Sequence, residues 1–236
     1  MRQSKQMSER FVTAAILAVA GGFLDAYTYI CRGGVFANAQ TGNMVLFGVR
    51  LAEGEFSKSV MYLIPIAAFV VGIFAAEFVR KKFNGNRFHW RQAVLLAEMI
   101  ITFAVAWFPN AKGWNTAANV LVSFVCSLQV QSFRKINKKV MATTMCTGNL
   151  RSASECFSKY IATRDRAELE NGFVYLGIIF FFISGAIAGG RLTDLLAERS
   201  MFFVCGLLTL VFLLLFIKEE EEKIAEFEER HEHKTV

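Results

Sequence analysis

The sequence predicts an all-α integral membrane protein of six transmembrane helices, arranged as a 3+3 inverted repeat with a polar break after the first and fourth helices. Three observations predict it. Six stretches of nearly membrane-crossing length hold almost no charge. The basic residues are shared unevenly among the segments between those stretches. The tripeptide Thr-Gly-Asn occurs twice, as Thr41-Gly42-Asn43 and Thr147-Gly148-Asn149, each time shortly after an apolar stretch.

The length of each stretch comes from the bilayer. Hydrocarbon about 30 Å thick needs roughly 20 helical residues to cross it. The chain has 236 residues, of which 54% are hydrophobic, with 24 Phe and only 2 Pro. The stretches are 11–30, 60–79, 90–108, 116–133, 173–190 and 201–217. The last three contain no charge, and the first three carry one interior acid each, Asp25, Glu77 and Glu98. Barrel strands alternate in polarity, and the runs 177–183 and 207–217 do not. Helices also satisfy their own backbone hydrogen bonds, which lipid cannot do. The first stretch is followed by no small-residue cleavage pattern and reads as a retained span rather than a signal peptide. The division expected is a transmembrane domain over 1–218, with halves of approximately 11–109 and 114–217. An acidic cytoplasmic tail over 219–236 follows, too short for a core and expected to be a short helix or disorder.

Orientation follows from Lys and Arg. With the N-terminus inside, only Arg32, Arg50, Lys58, Lys112, Arg191 and Arg199 of the 26 basic residues fall outside. The positive-inside rule favours that arrangement, with both termini cytoplasmic. The net charge of +6 then needs no nucleic-acid partner, because no soluble basic face is available to bind one. Trp90, Trp107 and Trp114 mark headgroup levels around the third and fourth spans.

The two halves align on the repeated tripeptide at an offset of 106 residues, which sets Asp25 against Gln131. Further on the offset is 113, where Tyr62-Leu63, Gly72 and Ala76 match Tyr175-Leu176, Gly185 and Gly189. Three spans per half is an odd number, so the halves insert in opposite senses, as in many secondary transporters. Each tripeptide opens a short semi-polar stretch, 44–52 and 150–161. These stretches read either as half-helices turned toward the membrane centre or as amphipathic helices at the interface. Thr serves as an N-cap and Gly permits tight backbone geometry, so free amides there would face an anion or polar solute. Gly72-x-x-x-Ala76 and Gly185-x-x-x-Gly189 predict close helix approach within the chain.

Several chemistries are disfavoured. The five cysteines form no C-x-x-C pair and read as packing residues. None of His89, His231 and His233 lies in a span, so no metal centre and no cofactor is expected. Neither a nucleophile elbow nor a zinc-protease motif occurs, so the chain is not expected to be an enzyme.

Gly22-x-x-Asp25-Ala26, Tyr29, Phe36, Thr41-Gly42-Asn43 and the second Thr147-Gly148-Asn149 together resemble the YoaK-type family of uncharacterised bacterial multi-pass membrane proteins. The resemblance covers roughly residues 11 to 217. It implies a bacterial inner-membrane location and about six spans, and no substrate.

The residues themselves suggest a secondary transporter or permease for a small polar or anionic solute, with the lipid bilayer as the other partner. The expected binding constellation is Asp25, Asn38, Gln40, Thr41, Gly42, Asn43, Gln131, Thr147, Gly148 and Asn149, with Asp25 and Gln131 facing each other. An ionised carboxylate within a span must be paired, hydrated or protonated. Asp25 is therefore either a solute or proton site, or a structural carboxylate held by a cation or by backbone amides. Glu98 is a second candidate for proton coupling, weighed against hydrogen bonding to a neighbouring span. Gln129 and Gln131 also suit bridging between helices. Glu77 is expected to pair with Lys81. The alternative functions are a membrane scaffold or regulatory partner working through the basic inner loop and acidic tail, and, more remotely, an intramembrane aspartyl enzyme.

Overall fold

A computed structural model describes residues 11–82, 90–133, 135–136, 139–140 and 143–232. The basic N-terminal residues Arg2, Lys5 and Arg10, loop residues Arg87 and His89, and the last four residues of the tail lie outside the described residues.

Apolar runs without alternation form helices, and the regular elements among the described residues are helices apart from one short ladder. The helices are α1 (Phe11–Cys31), α2 (Gln40–Ala52), α3 (Phe56–Lys82), α4 (Trp90–Val105), α5 (Lys112–Ser132), α6 (Cys146–Thr163), α7 (Arg166–Leu196) and α8 (Met201–Glu232). A 3₁₀ turn, Ala197–Ser200, joins α7 to α8. Between α5 and α6, β1 (Lys135–Ile136) pairs antiparallel with β2 (Lys139–Val140), Lys135 opposite Val140. Helix α8 continues without a break to Glu232, so residues 219–232 are helical.

Among the described residues, three helical stretches are long and apolar enough to cross a membrane: α1, α3 and the run Arg166–Phe216 through α7 and α8. Helix α4 has 16 residues, about 24 Å at 1.5 Å per residue. Helix α5 carries Asn115, Thr116, Asn119, Ser123, Ser127, Gln129 and Gln131, which lower its hydropathy.

Burial explains the division of labour. The apolar window of α1 is 72% buried, against 28% for that of α3. Helices α1, α4, α5 and α8 share one core built from Leu17, Phe23, Leu24, Leu95, Val122, Val204 and Leu208. Helix α7 packs on α1, and α3 on α5, outside that core. Their outer faces leave Phe74, Phe78, Phe180 and Ile187 exposed, Phe74 at 71%. Apolar side chains left uncovered in this number mark a surface that meets lipid.

The expected close approaches are intramolecular. A Cβ on Gly72 would strike Ser127 and come within 2.8 Å of the Phe124 carbonyl on α5. One on Gly185 would strike the Val19 carbonyl on α1, and one on Gly189 would lie 2.8 Å from the Phe23 carbonyl. Small residues thus let α3 sit on α5 and α7 on α1 at backbone distance.

The packing pattern is preserved when α1 is exchanged with α5, α2 with α6, α3 with α7 and α4 with α8. Helix α1 packs on α7 as α5 packs on α3; α6 packs on α7 as α2 packs on α3; α4 packs on α5 as α8 packs on α1.

Candidate functional site

The site begins with a reversal of the chain. Helix α1 ends at Cys31, and Gly33 and Gly34 follow at φ +89° and +77°. That backbone region is open to glycine without steric cost. The Gly34 N–H donates to the Tyr29 carbonyl at 3.0 Å, and the chain turns back along α1 with Val35 and Ala37 buried. Asp25 receives the returning segment. Its Oδ1 accepts from the Asn38 N–H at 2.6 Å and the Ala39 N–H at 3.4 Å. The Asn38 side-chain amide donates to the Gly21 carbonyl at 3.1 Å. Of the two structural partners weighed for Asp25, backbone amides are the ones used.

Helix α2 starts immediately after that anchor. Asn43, fully buried, binds the main chain of Phe36 in both directions. Its Oδ1 accepts from the Phe36 N–H at 3.0 Å, and its Nδ2 donates to the Phe36 carbonyl at 2.8 Å and to Gln40 Oε1 at 2.9 Å. A Cβ on Gly42 would lie 2.9 Å from the Phe36 ring. Asn and Gly of the tripeptide therefore clasp the reversed segment onto the helix. Thr41 and Thr147 do not cap their helices, contrary to the sequence expectation. The caps are Ala39 and Met145, without side-chain hydrogen bonds, because both helices begin one residue before the tripeptide and carry Thr inside the first turn. In the second half Asn149 is likewise buried, while Gly148 has nothing within 4 Å of where a Cβ would stand.

The N-terminal ends of α2 and α6 open onto one cavity of about 730 Å³. Asp25, Ala26 and Tyr29 of α1 border it, with Phe36 and residues 38–41 leading into α2. Residues 144–148 at the start of α6 form the facing end, and Phe69, Phe182 and Ala186 of α3 and α7 close the sides. The wall is mainly apolar, with polar groups gathered at the two helix ends. Phe36 stacks on Tyr29 at 4.9 Å between centroids.

Of the expected constellation, Asp25, Asn38, Gln40, Thr41, Thr147 and Gly148 meet at this cavity. Gly42, Asn43 and Asn149 do not border it; Gly42 and Asn43 are occupied with Phe36. Gln131 does not face Asp25. Its Nε2 hydrogen-bonds Glu77 Oε1, because α5 turns that side toward α3. Glu77 pairs with Arg80 at 2.7 Å rather than with Lys81. Gln129 bridges helices, its Nε2 donating to the Leu17 carbonyl of α1 at 3.1 Å. Glu98 is fully buried on α4, off the cavity, and neither carboxylate oxygen has a hydrogen-bond partner among the described residues.

Sequence reasoning missed two things. Arg32, expected as a loop cation, is fully buried. Its Nε donates to Tyr27 Oη at 2.8 Å, Nη1 to the Pro109 carbonyl at 3.2 Å and Asn115 Oδ1 at 3.1 Å, and Nη2 to the Val105 and Phe108 carbonyls at 3.3 and 2.9 Å. The Arg32 carbonyl accepts from Asn119 Nδ2 at 2.8 Å. A cation thus closes the carbonyl end of α4, where the helix dipole favours it. No local pattern marks this role, since every partner except Tyr27 lies more than 70 residues away. The second omission is the trio Thr144, Met145 and Cys146 on the cavity wall. The 106-residue offset, applied to Asn38, Ala39 and Gln40, would have found them.

A family model described as a protein of unknown function, DUF1275, matches residues 13–214. The UPF0700 transmembrane protein YoaK of Bacillus subtilis (strain 168) is 26% identical over 149 residues, covering 61% of this chain and 65% of the relative. The match thus spans a little under two thirds of that relative's length. No solved structure matches. Apolar helices with uncovered outer faces and a transmembrane relative agree on a membrane protein.

Proposed function

The chain belongs to the DUF1275 family, and on that premise we propose that it is a secondary transporter or permease moving a small polar or anionic solute across the bacterial inner membrane. In this reading α1, α3, α4, α5, α7 and α8 are six spans, and α2 and α6 are half-helices entering from opposite sides. The exchange of packing partners between α1–α4 and α5–α8 supports a 3+3 inverted repeat. Both termini are cytoplasmic, on the strength of the Lys and Arg distribution. The halves rock about the cavity to expose it to each side in turn.

The observation that carries the proposal is the cavity shared by the equivalent N-termini of α2 and α6, with the one acid of α1 on its wall. Non-helical backbone at membrane depth is tolerated where it is buried or lines a wet cavity. Asp25 is the ionisable group at that point and the first candidate for proton coupling, with Glu98 a second carboxyl in the interior. The reading needs no cofactor, metal or catalytic residue.

Purified protein in liposomes tests it. Saturable uptake of at least one solute from a metabolite panel is expected, with Asp25→Asn abolishing it or uncoupling it from a proton gradient. Absence of saturable flux for every solute, with no change in cells carrying Asp25→Asn, refutes it. Deleting residues 219–236 separates this reading from a scaffold: a permease retains flux, whereas a scaffold working through its tail loses its phenotype.

A further inference from the structure

We propose that the cavity binds a small zwitterion, a solute carrying an ammonium and a carboxylate on neighbouring carbons, with an apolar substituent. The inference rests on the permease reading and deepens it by naming the substrate class.

The argument comes from a break in the symmetry of the two halves. At the first half-helix, a fixed carboxylate already occupies the amides. Asp25, over nine-tenths buried, takes the N–H groups of Asn38 and Ala39. The Gln40 N–H donates to the Asn38 carbonyl and the Gly42 N–H to the Ala39 carbonyl. The amides around the start of α2, Thr41 apart, are thereby taken up within the protein.

At the second half-helix the residue equivalent to Asp25 is Gln131, and it is engaged with Glu77 instead. Among the described residues the one carboxylate bordering the cavity is Asp25, which the amides of Asn38 and Ala39 hold at the α2 end. The amides of Thr147 and Gly148 have no hydrogen-bond partner among the described residues, and Gly148 faces open space. One end of the cavity therefore offers uncompensated N–H groups with the helix dipole behind them, a setting that binds carboxylate or phosphate.

The other end offers the reverse. The hydrogen bonds from the Asn38 and Ala39 amides both fall on Oδ1, the Ala37 amide is a further backbone partner of the carboxylate, and Asp25 lines the cavity with the acceptor capacity that a carboxylate's two oxygens leave. An ammonium placed there makes a charge-assisted hydrogen bond. A simple anion would gain at α6 but meet Asp25, and a simple cation would gain at Asp25 but meet the positive end of α6. A zwitterion satisfies both ends at once. Between the ends, Phe36, Phe69, Phe182 and Met145 supply an apolar wall for a substituent.

The probes are leucine and phenylalanine, their amides, which lack the carboxylate, and the corresponding acids without the amine. Binding is read by calorimetry on the full chain in nanodiscs, alongside flux of a wider metabolite panel in liposomes. Each zwitterion is expected to bind about tenfold or more tighter than either partial analogue, about 1.4 kcal/mol. Asp25→Asn keeps a carbonyl oxygen for the Asn38 and Ala39 amides. It is expected to weaken the zwitterion about tenfold while leaving the deaminated acid no weaker. Gly148→Asp adds a carboxylate at the open end of α6 and is expected to weaken the zwitterion and the acid while sparing the amide. If Asp25→Asn fails to fold, Gly148→Asp and the ligand series decide. Equal affinity for zwitterion and analogues overturns the inference. Saturable flux of a different solute without zwitterion binding overturns it and leaves the permease reading standing. No binding and no flux of anything overturns both.

Discussion

Removing the guanidinium of Arg32 is expected to unfasten α4 and α5 from the end of α1. The side chain is fully buried and makes five hydrogen bonds, to Tyr27, Pro109, Asn115, Val105 and Phe108. Three of the acceptors are main-chain carbonyls at or just beyond the carboxyl end of α4. In Arg32→Ala all five lose a charged donor, and the buried carbonyls have nothing to replace it. A hydrogen bond to a charged group contributes about 1.5–3 kcal/mol, but the cation's own desolvation opposes the total, so breaking such a buried set costs about 3–5 kcal/mol. For a chain of this size that lowers Tm by about 6–20 °C, at roughly 2–4 °C per kcal/mol. Arg32→Lys keeps the charge but offers three donors on a flexible stem in place of a rigid five-donor fork. It should fall between Arg32→Ala and the native chain. Thermal unfolding of detergent-purified protein, followed by fluorescence-detected size exclusion, measures both. If Arg32→Ala melts within about 2 °C of the native protein, under 1 kcal/mol on that scale, the carbonyls are satisfied by water and Arg32 is no fastener.

Asn43→Ala removes three hydrogen bonds that hold the reversed segment and is expected to cost about 2–4 kcal/mol by the same assay. Asn43→Asp keeps the acceptor for the Phe36 N–H but sets a buried carboxylate oxygen against the Phe36 carbonyl and Gln40 Oε1, and should cost at least as much. Gly185→Leu drives a side chain into the Val19 backbone and should abolish monodisperse folded protein, whereas Gly206→Ala, with open space around it, should leave the yield unchanged. Glu55 sits outside the helices, and its hydrogen bond with Lys58 holds its carboxyl below the usual value. A carboxyl lowered on folding stabilises above its unfolded pKa and loses that contribution as pH falls through the folded value. The Tm difference between the native chain and Glu55→Gln should therefore be present at neutral pH and vanish in acid. It should be small throughout, because the pair is solvent-exposed.

The membrane class and the helices near 11–30, 60–79 and 173–190 were legible in the sequence alone. Hydropathy over twenty residues is a sum, indifferent to what each residue touches, and a repeated tripeptide at a fixed offset is visible without coordinates. The intramolecular use of Gly72 and Gly185 was legible for a similar reason, since absence of a side chain has one steric meaning. What Asp25, Gln131 and Arg32 do was decided only by tertiary structure. Asp25 and Gln131 occupy equivalent positions, yet one turns to the returning main chain and the other to Glu77 on a neighbouring helix. The direction of a polar side chain inside a packed bundle depends on which donor or acceptor, tens of residues distant, the fold brings within 3 Å. Arg32 reads as an ordinary loop cation until α4 and α5 close over it. Local composition sets where a helix can lie; a buried charge finds its partners only when the helices have met.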